Sequence, residues 1–243
     1  MDPRRGGRGE HGGANVVADY RPAIVKLLDE QHEGGWTAKP AETFRGIDRA
    51  QNPDWPGWAR VDGFRVGAKV KRFPANALAD SELDAAALLF YKPRYWDAVG
   101  GDDVPSQALA ERLFDFGVTS GPRDAVKALQ RALNFLNATR FPGDRWHEVA
   151  IDGVWGRETR SALRRCFALH ASGIAPRDLA KMPDEAVQRL VATLEGSVGY
   201  EEAEEDLCLA MRALQAAHYV AAAEGSPSLR AFARGWLRRA MKG

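Results

Sequence analysis

Apolar residues recur at helical spacing along most of the chain. A first helix is predicted to start at Pro22, a residue type favoured at helix starts, and to run to His32, where two glycines end it. Ser81, Ser106 and Pro122 are predicted to start three further helices. The same spacing predicts later helices over residues 157–170, 184–195, 201–223 and 228–241.

The helical pattern breaks between residues 37 and 79, where prolines and a glycine predict loops, short helices and a small hairpin around residues 66–73. The predicted fold class is therefore mainly α, with two lobes and an irregular loop or small hairpin region after the first helix. Residues 1–18 are rich in Gly and Arg and have no apolar stripe, so they are predicted to be a disordered tail. Residues 19–110 and 111–243 are predicted to be the two lobes, packed as one unit.

Charge and composition argue against a nucleic-acid-binding, a membrane-spanning or a zinc-binding protein. The chain has 34 Lys and Arg against 33 Asp and Glu, and this balance gives no support to nucleic-acid binding, which usually requires a basic excess. No run approaches the roughly 18 apolar residues of a membrane span, and residues 1–13 lack the apolar segment of a signal peptide. Cys166 and Cys208 lie in apolar helical runs and are interpreted as buried free thiols, too few for a structural zinc site.

The most informative short segment is Glu33-Gly34-Gly35-Trp36 at the predicted end of the first helix. A helix C-terminus carries partial negative charge and should raise the pKa of a nearby carboxyl group, and the indole of Trp36 would add desolvation. A carboxyl group that stays protonated near neutral pH can donate a proton to a departing glycosidic oxygen. Glu33 is therefore a candidate general acid, and the alternative is a solvated Glu before a glycine C-cap.

Several segments, in the same order along the chain, resemble glycoside hydrolase family 108. They are residues 33–36 (EGGW), 42–47 (ETFRGI), 52–58 (NPDWPGW), 95–97 (YWD), 113–121 (LFDFGVTSG), 129–133 (LQRAL), 152–159 (DGVWGRET) and 235–239 (GWLRR). The resemblance implies a lysozyme-like helical fold, with Glu33 as the catalytic acid and a C-terminal lobe similar to the family's predicted peptidoglycan-binding region.

The resemblance also implies a biochemical role. Such proteins are N-acetylmuramidases that cut the β-1,4 bond between N-acetylmuramic acid and N-acetylglucosamine in peptidoglycan, without a metal or organic cofactor. They serve as phage endolysins or are linked to secretion loci, so a holin or a secretion system is a candidate for delivery. We therefore expect a monomer that is made in the cytoplasm without a signal peptide and acts on glycan strands in the periplasm or cell wall.

One loop departs from the family pattern. The Asp that usually follows the catalytic Glu is absent, and Glu42 is the remaining carboxylate in the shortened loop. Glu42 is a candidate to orient water or stabilise positive charge at the anomeric carbon, with Thr43 positioning a water. Asp48 and Asp62 are alternatives from outside the loop. A second reading is a catalytically weak or inactive peptidoglycan-binding or secretion-associated protein on the same fold.

Substrate contacts are expected from four other residues. Trp36 and Tyr95 are candidates because sugar rings pack their apolar faces on aromatic side chains. Asp115 and Thr119 lie in the central segment that resembles the family, where Thr119 replaces its usual Asn. Both are assigned to substrate binding, and Asp115 is also interpreted as a cap for the turn at residues 119–121 rather than a catalytic group.

Overall fold

The computed structural model describes residues 17–28, 34–39, 41–137 and 148–241, and this part of the chain is mainly helical, as predicted. The α-helices are α1 (Tyr20–Leu27), α2 (Gly57–Gly63), α3 (Ala75–Leu78), α4 (Ser81–Tyr91), α5 (Gln107–Ser120), α6 (Pro122–Leu136), α7 (Arg157–Ala171), α8 (Pro176–Leu179), α9 (Asp184–Leu194), α10 (Val198–Gly225) and α11 (Ala233–Met241). Within these ranges, four 3-10 segments and one π segment link the helices: Gly67–Arg72, Asp97–Val99, Gly101–Asp103, Pro227–Phe232, and the π turn Lys92–Trp96.

A three-stranded antiparallel sheet follows the first helix. Its strands are β1 (Trp36–Thr37), β2 (Thr43–Phe44) and β3 (Ile47–Asp48), in that order. Arg45 and Gly46 join β2 to β3 with φ angles of 48° and 75°, and positive φ at both central residues is the geometry of a type I′ hairpin turn. The expected irregular or hairpin region after the first helix is thus confirmed.

The predicted position of the hairpin, around residues 66–73, is wrong. Residues Gly67–Arg72 form a 3-10 helix instead. Val66 and Val70 are 65% and 50% exposed, so the alternation of valines and basic residues there has no core to cover. Alternation specifies a strand only where a partner strand and a core face exist.

Helix α5 lies at the centre of the described structure. It packs against α1, the π turn, α6 and α10, and its side chains Phe114 and Phe116 are fully buried. The ring of Phe114 meets those of Trp96 and Tyr20 at 5.7 and 5.8 Å between centroids. The predicted boundary between the two lobes, at residues 110 and 111, falls inside α5, so the same helix contributes to both sides.

The C-terminal half is built on the long helix α10, which packs against α5, α6, α7 and α11. Gly199 allows the close crossing with α7, because a Cβ there would lie 2.4 Å from the carbonyl oxygen of His170. Cys166 and Cys208 are buried free thiols, as predicted. Burial raises the pKa of the Cys166 thiol to about 12 and that of the Cys208 thiol to about 11.

The end of the predicted tail packs against the rest of the protein. Ala18 is buried and its N–H donates to the carbonyl of Val104 over 3.1 Å, so packed structure includes at least one residue of the predicted tail. Residues 1–16 lie outside the described part of the chain. Across the described ranges, each helix is too short or too polar to cross a bilayer.

Candidate active site

Glu33, the predicted general acid, lies outside the described residues, as do its four predecessors. The described residues that flank it in sequence are Leu28, at the C-cap of α1, and Gly34, just before β1. Trp36 opens β1 only three residues after Glu33, and a chain of three residues spans at most about 11 Å. The sheet and the groups around Trp36 therefore form the described part of the candidate site.

Glu42 is held by two hydrogen-bond donors and one further ion pair. Its Oε1 accepts from Arg65 Nη1 over 2.8 Å and from the indole Nε1 of Trp36 over 3.3 Å. Its Oε2 lies 2.9 Å from Nε of Arg49. Only 19% of the Glu42 side chain is exposed. Two guanidinium groups therefore neutralise the carboxylate and fix its orientation.

Asp62 of α2 completes this charge cluster. It binds Arg49 through two hydrogen bonds of 2.7 and 3.1 Å, and the hydrogen bond from Arg49 is the main cause of the lowered pKa of Asp62. The Arg49 guanidinium also lies 4.3 Å from the ring centroid of Trp58. We call Trp36, Glu42, Arg49, Asp62 and Arg65 the Glu42 cluster, and it ties the sheet to the C-terminal end of α2.

Trp36 is half-buried and fixed on several sides. Its ring meets Phe73 edge to face at 4.8 Å, and the guanidinium of Arg65 lies 6.0 Å from its centroid. The hydrogen bond to Glu42 fixes the indole N–H. A half-exposed, immobilised indole is suited to packing against a sugar ring.

The register of the sheet separates Glu42 from Thr43. Thr43 pairs with Asp48, and Phe44 pairs with Ile47 and with Trp36. Because successive side chains in a strand point to opposite faces, Thr43 and Asp48 share one face, whereas Phe44 and Ile47 are buried on the other. Glu42 and its neighbour Thr43 therefore project in opposite directions.

Asp48 is the carboxylate on the face of Thr43. Its Oδ1 accepts from the backbone N–H of Gln51 over 2.9 Å, and no basic side chain in the described ranges pairs with it. Directly opposed residues on one face of a sheet have Cβ atoms about 5 Å apart. The structure thus brings together Thr43 and Asp48, whereas the other alternative, Asp62, is bound to Arg49.

Tyr95 lies in the π turn after α4. Pro93 lacks an N–H, so the α-helical hydrogen-bond pattern cannot continue through it, and the chain widens into the π turn Lys92–Trp96. The half-buried ring of Tyr95 lies 5.6 Å from that of Tyr91, and the hydroxyl of Tyr91 donates to the carbonyl of Arg45 in the hairpin turn. Tyr91 therefore links the predicted aromatic contact to the sheet.

Sequence reasoning missed the residues that fix the sheet in place. Arg45 donates from Nη2 to the carbonyl of Leu78 over 2.7 Å and forms an ion pair with Asp84. Tyr91 and the two arginines of the Glu42 cluster act in the same way. The sequence signal for Arg45 was the Arg-Gly pair between two β-prone residues, which is compatible with a two-residue hairpin turn.

Asp115 and Thr119 hold three helices together. The carboxylate of Asp115 accepts from Arg239 of α11 over 2.7 Å and from Gln215 of α10 over 3.2 Å. The hydroxyl of Thr119 donates to the backbone carbonyl of Asp115 and accepts from Tyr219 over 2.8 Å. These contacts give Asp115 and Thr119 a structural role. Their assignment to substrate binding stays a prediction.

The segment at residues 152–159 forms a loop around one buried amide. Gln130 accepts from the N–H of Gly153 over 2.9 Å and donates to the carboxylate of Asp152 and the hydroxyl of Thr159 over 2.8 and 3.1 Å. A cavity of about 330 Å³ lies beside this loop, with Glu148, Arg157 and Glu158 in its wall. Within the described ranges, no cluster of His, Cys, Asp and Glu is arranged to hold a metal ion.

The protein is mainly helical, and a small sheet follows its first helix. The carboxylate of Asp48 and the hydroxyl of Thr43 lie on the face of this sheet opposite the core. Residues 29–121 match the family model described as Glycosyl hydrolase 108, so the resemblance inferred from the sequence is confirmed over this region. The region contains Glu33, the sheet and the Glu42 cluster, and it ends just before α6.

Among solved structures, the chain is similar to the one titled "Structure of Brucella abortus SagA", with 23% sequence identity and a TM-score of 0.46, over 91% of this chain and 88% of that chain. No curated protein sequence matches the chain at a significant level.

Proposed function

We propose that the protein is a peptidoglycan hydrolase that cleaves the β-1,4 bond between N-acetylmuramic acid and N-acetylglucosamine. The observation that carries this proposal is the match of residues 29–121 to glycosyl hydrolase 108, because this segment includes Glu33 and the small sheet. A glycosidase needs one carboxyl group that protonates the leaving oxygen and a second group that assists water or stabilises the oxocarbenium-like transition state.

Glu33 is the proposed acid, and Thr43 with Asp48 are the proposed partners on the other side of the sugar. Asp48 is supported by its place beside Thr43 and by the absence of a basic partner in the described ranges. Glu42 was the first candidate from the sequence, but its carboxylate is bound by Arg49, Arg65 and Trp36. Because Trp36 pairs with Phe44, it lies on the opposite face of the sheet from Asp48. We therefore propose that Glu42 positions Trp36 against a neighbouring sugar of the strand rather than the sugar at Asp48.

A second candidate function is a wall-binding protein without turnover. It is favoured by the shortened loop, whose one remaining carboxylate is neutralised by two arginines. Both functions place peptidoglycan glycan strands in the site, so they differ only in bond cleavage.

The decisive experiment is incubation of the purified protein with purified cell walls. A hydrolase lowers the turbidity and releases soluble fragments, and mass spectrometry of borohydride-reduced fragments identifies which sugar carries the new reducing end. A reduced N-acetylmuramic acid supports the proposal, whereas a reduced N-acetylglucosamine contradicts the bond assignment. Bound protein without released fragments supports the second function.

The cellular route is part of the proposal. Peptidoglycan lies outside the cytoplasm, so a protein made in the cytoplasm must reach the periplasm or wall through a holin-dependent release or a secretion system. A fusion to a reporter that is active only outside the cytoplasm tests this route in cells with and without the candidate delivery system.

A further inference from the structure

Residues 65–72, which we call the basic segment, carry the densest positive charge near the candidate site. The segment contains Arg65, Lys69, Lys71 and Arg72 and no acidic residue, whereas the whole chain has a net charge of only +1. All eight residues are exposed. Lys69, Lys71 and Arg72 form no ion pair with the described residues, and the ammonium group of Lys69 lies 5.4 Å from the ring centroid of Phe64.

The 3-10 conformation of Gly67–Arg72 arranges these charges along its surface. With three residues per turn, Lys69 and Arg72 lie on one edge, about 6 Å apart along the axis, and Lys71 lies on a second edge. Val70 occupies the third edge. The segment therefore presents cations on two edges and an exposed apolar side chain on the third.

Both ends of the basic segment are attached to Trp36. At its start, Arg65 lies over the indole and donates to the carboxylate of Glu42. Immediately after its end, Phe73 packs edge to face on the same indole at 4.8 Å. The free cations thus extend from a loop that is fixed against the proposed sugar contact.

We propose that the basic segment binds the carboxylates of the peptide stems on the glycan strand, beside the sugar that occupies the site. This inference rests on the proposed function and names the part of the substrate that this surface recognises. N-acetylated hexosamines with their lactyl groups in amide linkage carry no charge, so the negative charge of a peptide-bearing strand lies on its peptides. Three unpaired cations match several carboxylates, and the valine edge fits the methyl groups of alanine-containing stems.

The test is a binding measurement on insoluble peptidoglycan from which other wall polymers have been removed. It uses Lys69→Gln/Lys71→Gln/Arg72→Gln, in a Glu33→Gln background so that the wall stays intact. The matched control is Arg21→Gln/Lys26→Gln/Arg60→Gln, which removes the same charge from exposed residues of α1 and α2 that have no part in the candidate site. A second substrate is the same material with its peptide carboxylates converted to amides by a carbodiimide and ammonia, which removes their charge and leaves the lactyl amides intact.

The basic-segment variant is expected to bind peptidoglycan about tenfold more weakly than its parent at low salt, and the control within twofold of it. The difference should vanish near 1 M salt, where charge interactions between exposed groups are screened. The parent should bind the amidated material as weakly as the variant binds the untreated material. Lys69→Arg/Lys71→Arg keeps the charge and should bind like the parent.

Three results would overturn the inference. These are equal binding by the variant and its parent, an equal loss in the control, or undiminished parent binding to the amidated material. The last would place the contact on uncharged parts of the strand. The measurement needs no bond cleavage, so a wild-type protein that releases no fragments contradicts the proposed hydrolase activity and leaves this test intact.

Discussion

The hydroxyl of Tyr91, at the end of α4, donates to the backbone carbonyl of Arg45 over 2.8 Å. Arg45 occupies the hairpin turn with a φ of 48°, an unfavourable conformation for a residue with a side chain. The contact therefore fixes a strained turn from outside the sheet. It also connects the sheet to the ring of Tyr95, which packs against the Tyr91 ring at a tilt of 38°.

Tyr91→Phe is expected to lower both stability and wall lysis. Loss of the hydroxyl leaves the carbonyl of Arg45 without this partner and should lower the free energy of unfolding by about 1 kcal/mol. Tyr20→Phe is the matched control, because it removes a similar bond of 2.8 Å, to Leu88. Denaturant unfolding should show similar losses, but only Tyr91→Phe should reduce turnover. Equal turnover in the two variants would contradict a link between this bond and the site.

Glu33→Gln should abolish wall lysis without changing the melting temperature. The amide cannot donate the proton that the leaving oxygen requires, and such a loss lowers rates by about a hundredfold or more. Turbidity assays and thermal unfolding measure the two effects. A variant that keeps most of its activity would show that another residue is the acid.

Asp48→Asn and Glu42→Gln should have different effects. Asn keeps an acceptor for the N–H of Gln51, so Asp48→Asn should fold normally and lose about a hundredfold in kcat with little change in KM. Glu42→Gln removes a charge between two arginines and should lower stability by about 1–2 kcal/mol and mainly raise KM.

Asp54→Asn, at an exposed position outside the sheet, serves as the control for this pair. Steady-state kinetics on soluble glycan fragments separate the two effects. If Glu42→Gln instead lost turnover and Asp48→Asn remained active, Glu42 would be the second catalytic carboxylate.

Asp115→Asn should weaken the docking of α11 and leave substrate binding unchanged. The variant loses the charge that pairs with Arg239, a contact with both side chains largely buried, so unfolding should occur at lower temperature. KM measured on glycan fragments should stay within twofold of the wild-type value. A rise in KM with unchanged stability would instead support the predicted role of Asp115 in substrate binding.

Asp184 should make stability depend on pH in the acid range. Hydrogen bonds from Ser161, then from Arg157 and Arg165, lower its pKa in the folded state. The stabilisation is therefore fully present above the unfolded pKa of about 3.9 and is lost as the pH falls through the folded value. Asp184→Asn should be less stable than wild type near neutral pH, and the difference should shrink near pH 3. Urea unfolding of both proteins at the two pH values measures this difference. If the free energies of unfolding of variant and wild type differed by the same amount at both pH values, this assignment would be contradicted.

Local signals predicted the starts of α5 and α6 because caps and prolines act within a few residues, whereas the first helix was predicted over residues 22–32 and lies over Tyr20–Leu27. Ser106 caps α5 through the N–H of Leu109, and Pro122 opens α6, as expected from sequence. The cap of α4 is Asp80 rather than Ser81, an error of one residue between two good capping types.

The site was less predictable because its geometry depends on register and on distant partners. Adjacent positions in the sequence suggested that Glu42 and Thr43 act together, but strand alternation places them on opposite faces. Likewise, the partner of Asp115 is Arg239, 124 residues later. Such a pairing is fixed by the packing of α11 and leaves no local pattern around Asp115.

The position of α5 has a consequence for how this protein can be rearranged. The hydrolase match ends at Gly121, yet Phe116 of α5 packs on His218 and Tyr219 of α10. A gene fusion that transplanted only residues up to 121 would expose this aromatic face to water. We therefore expect the fragment to aggregate, and recombination between relatives to preserve α5 together with the helices that follow it.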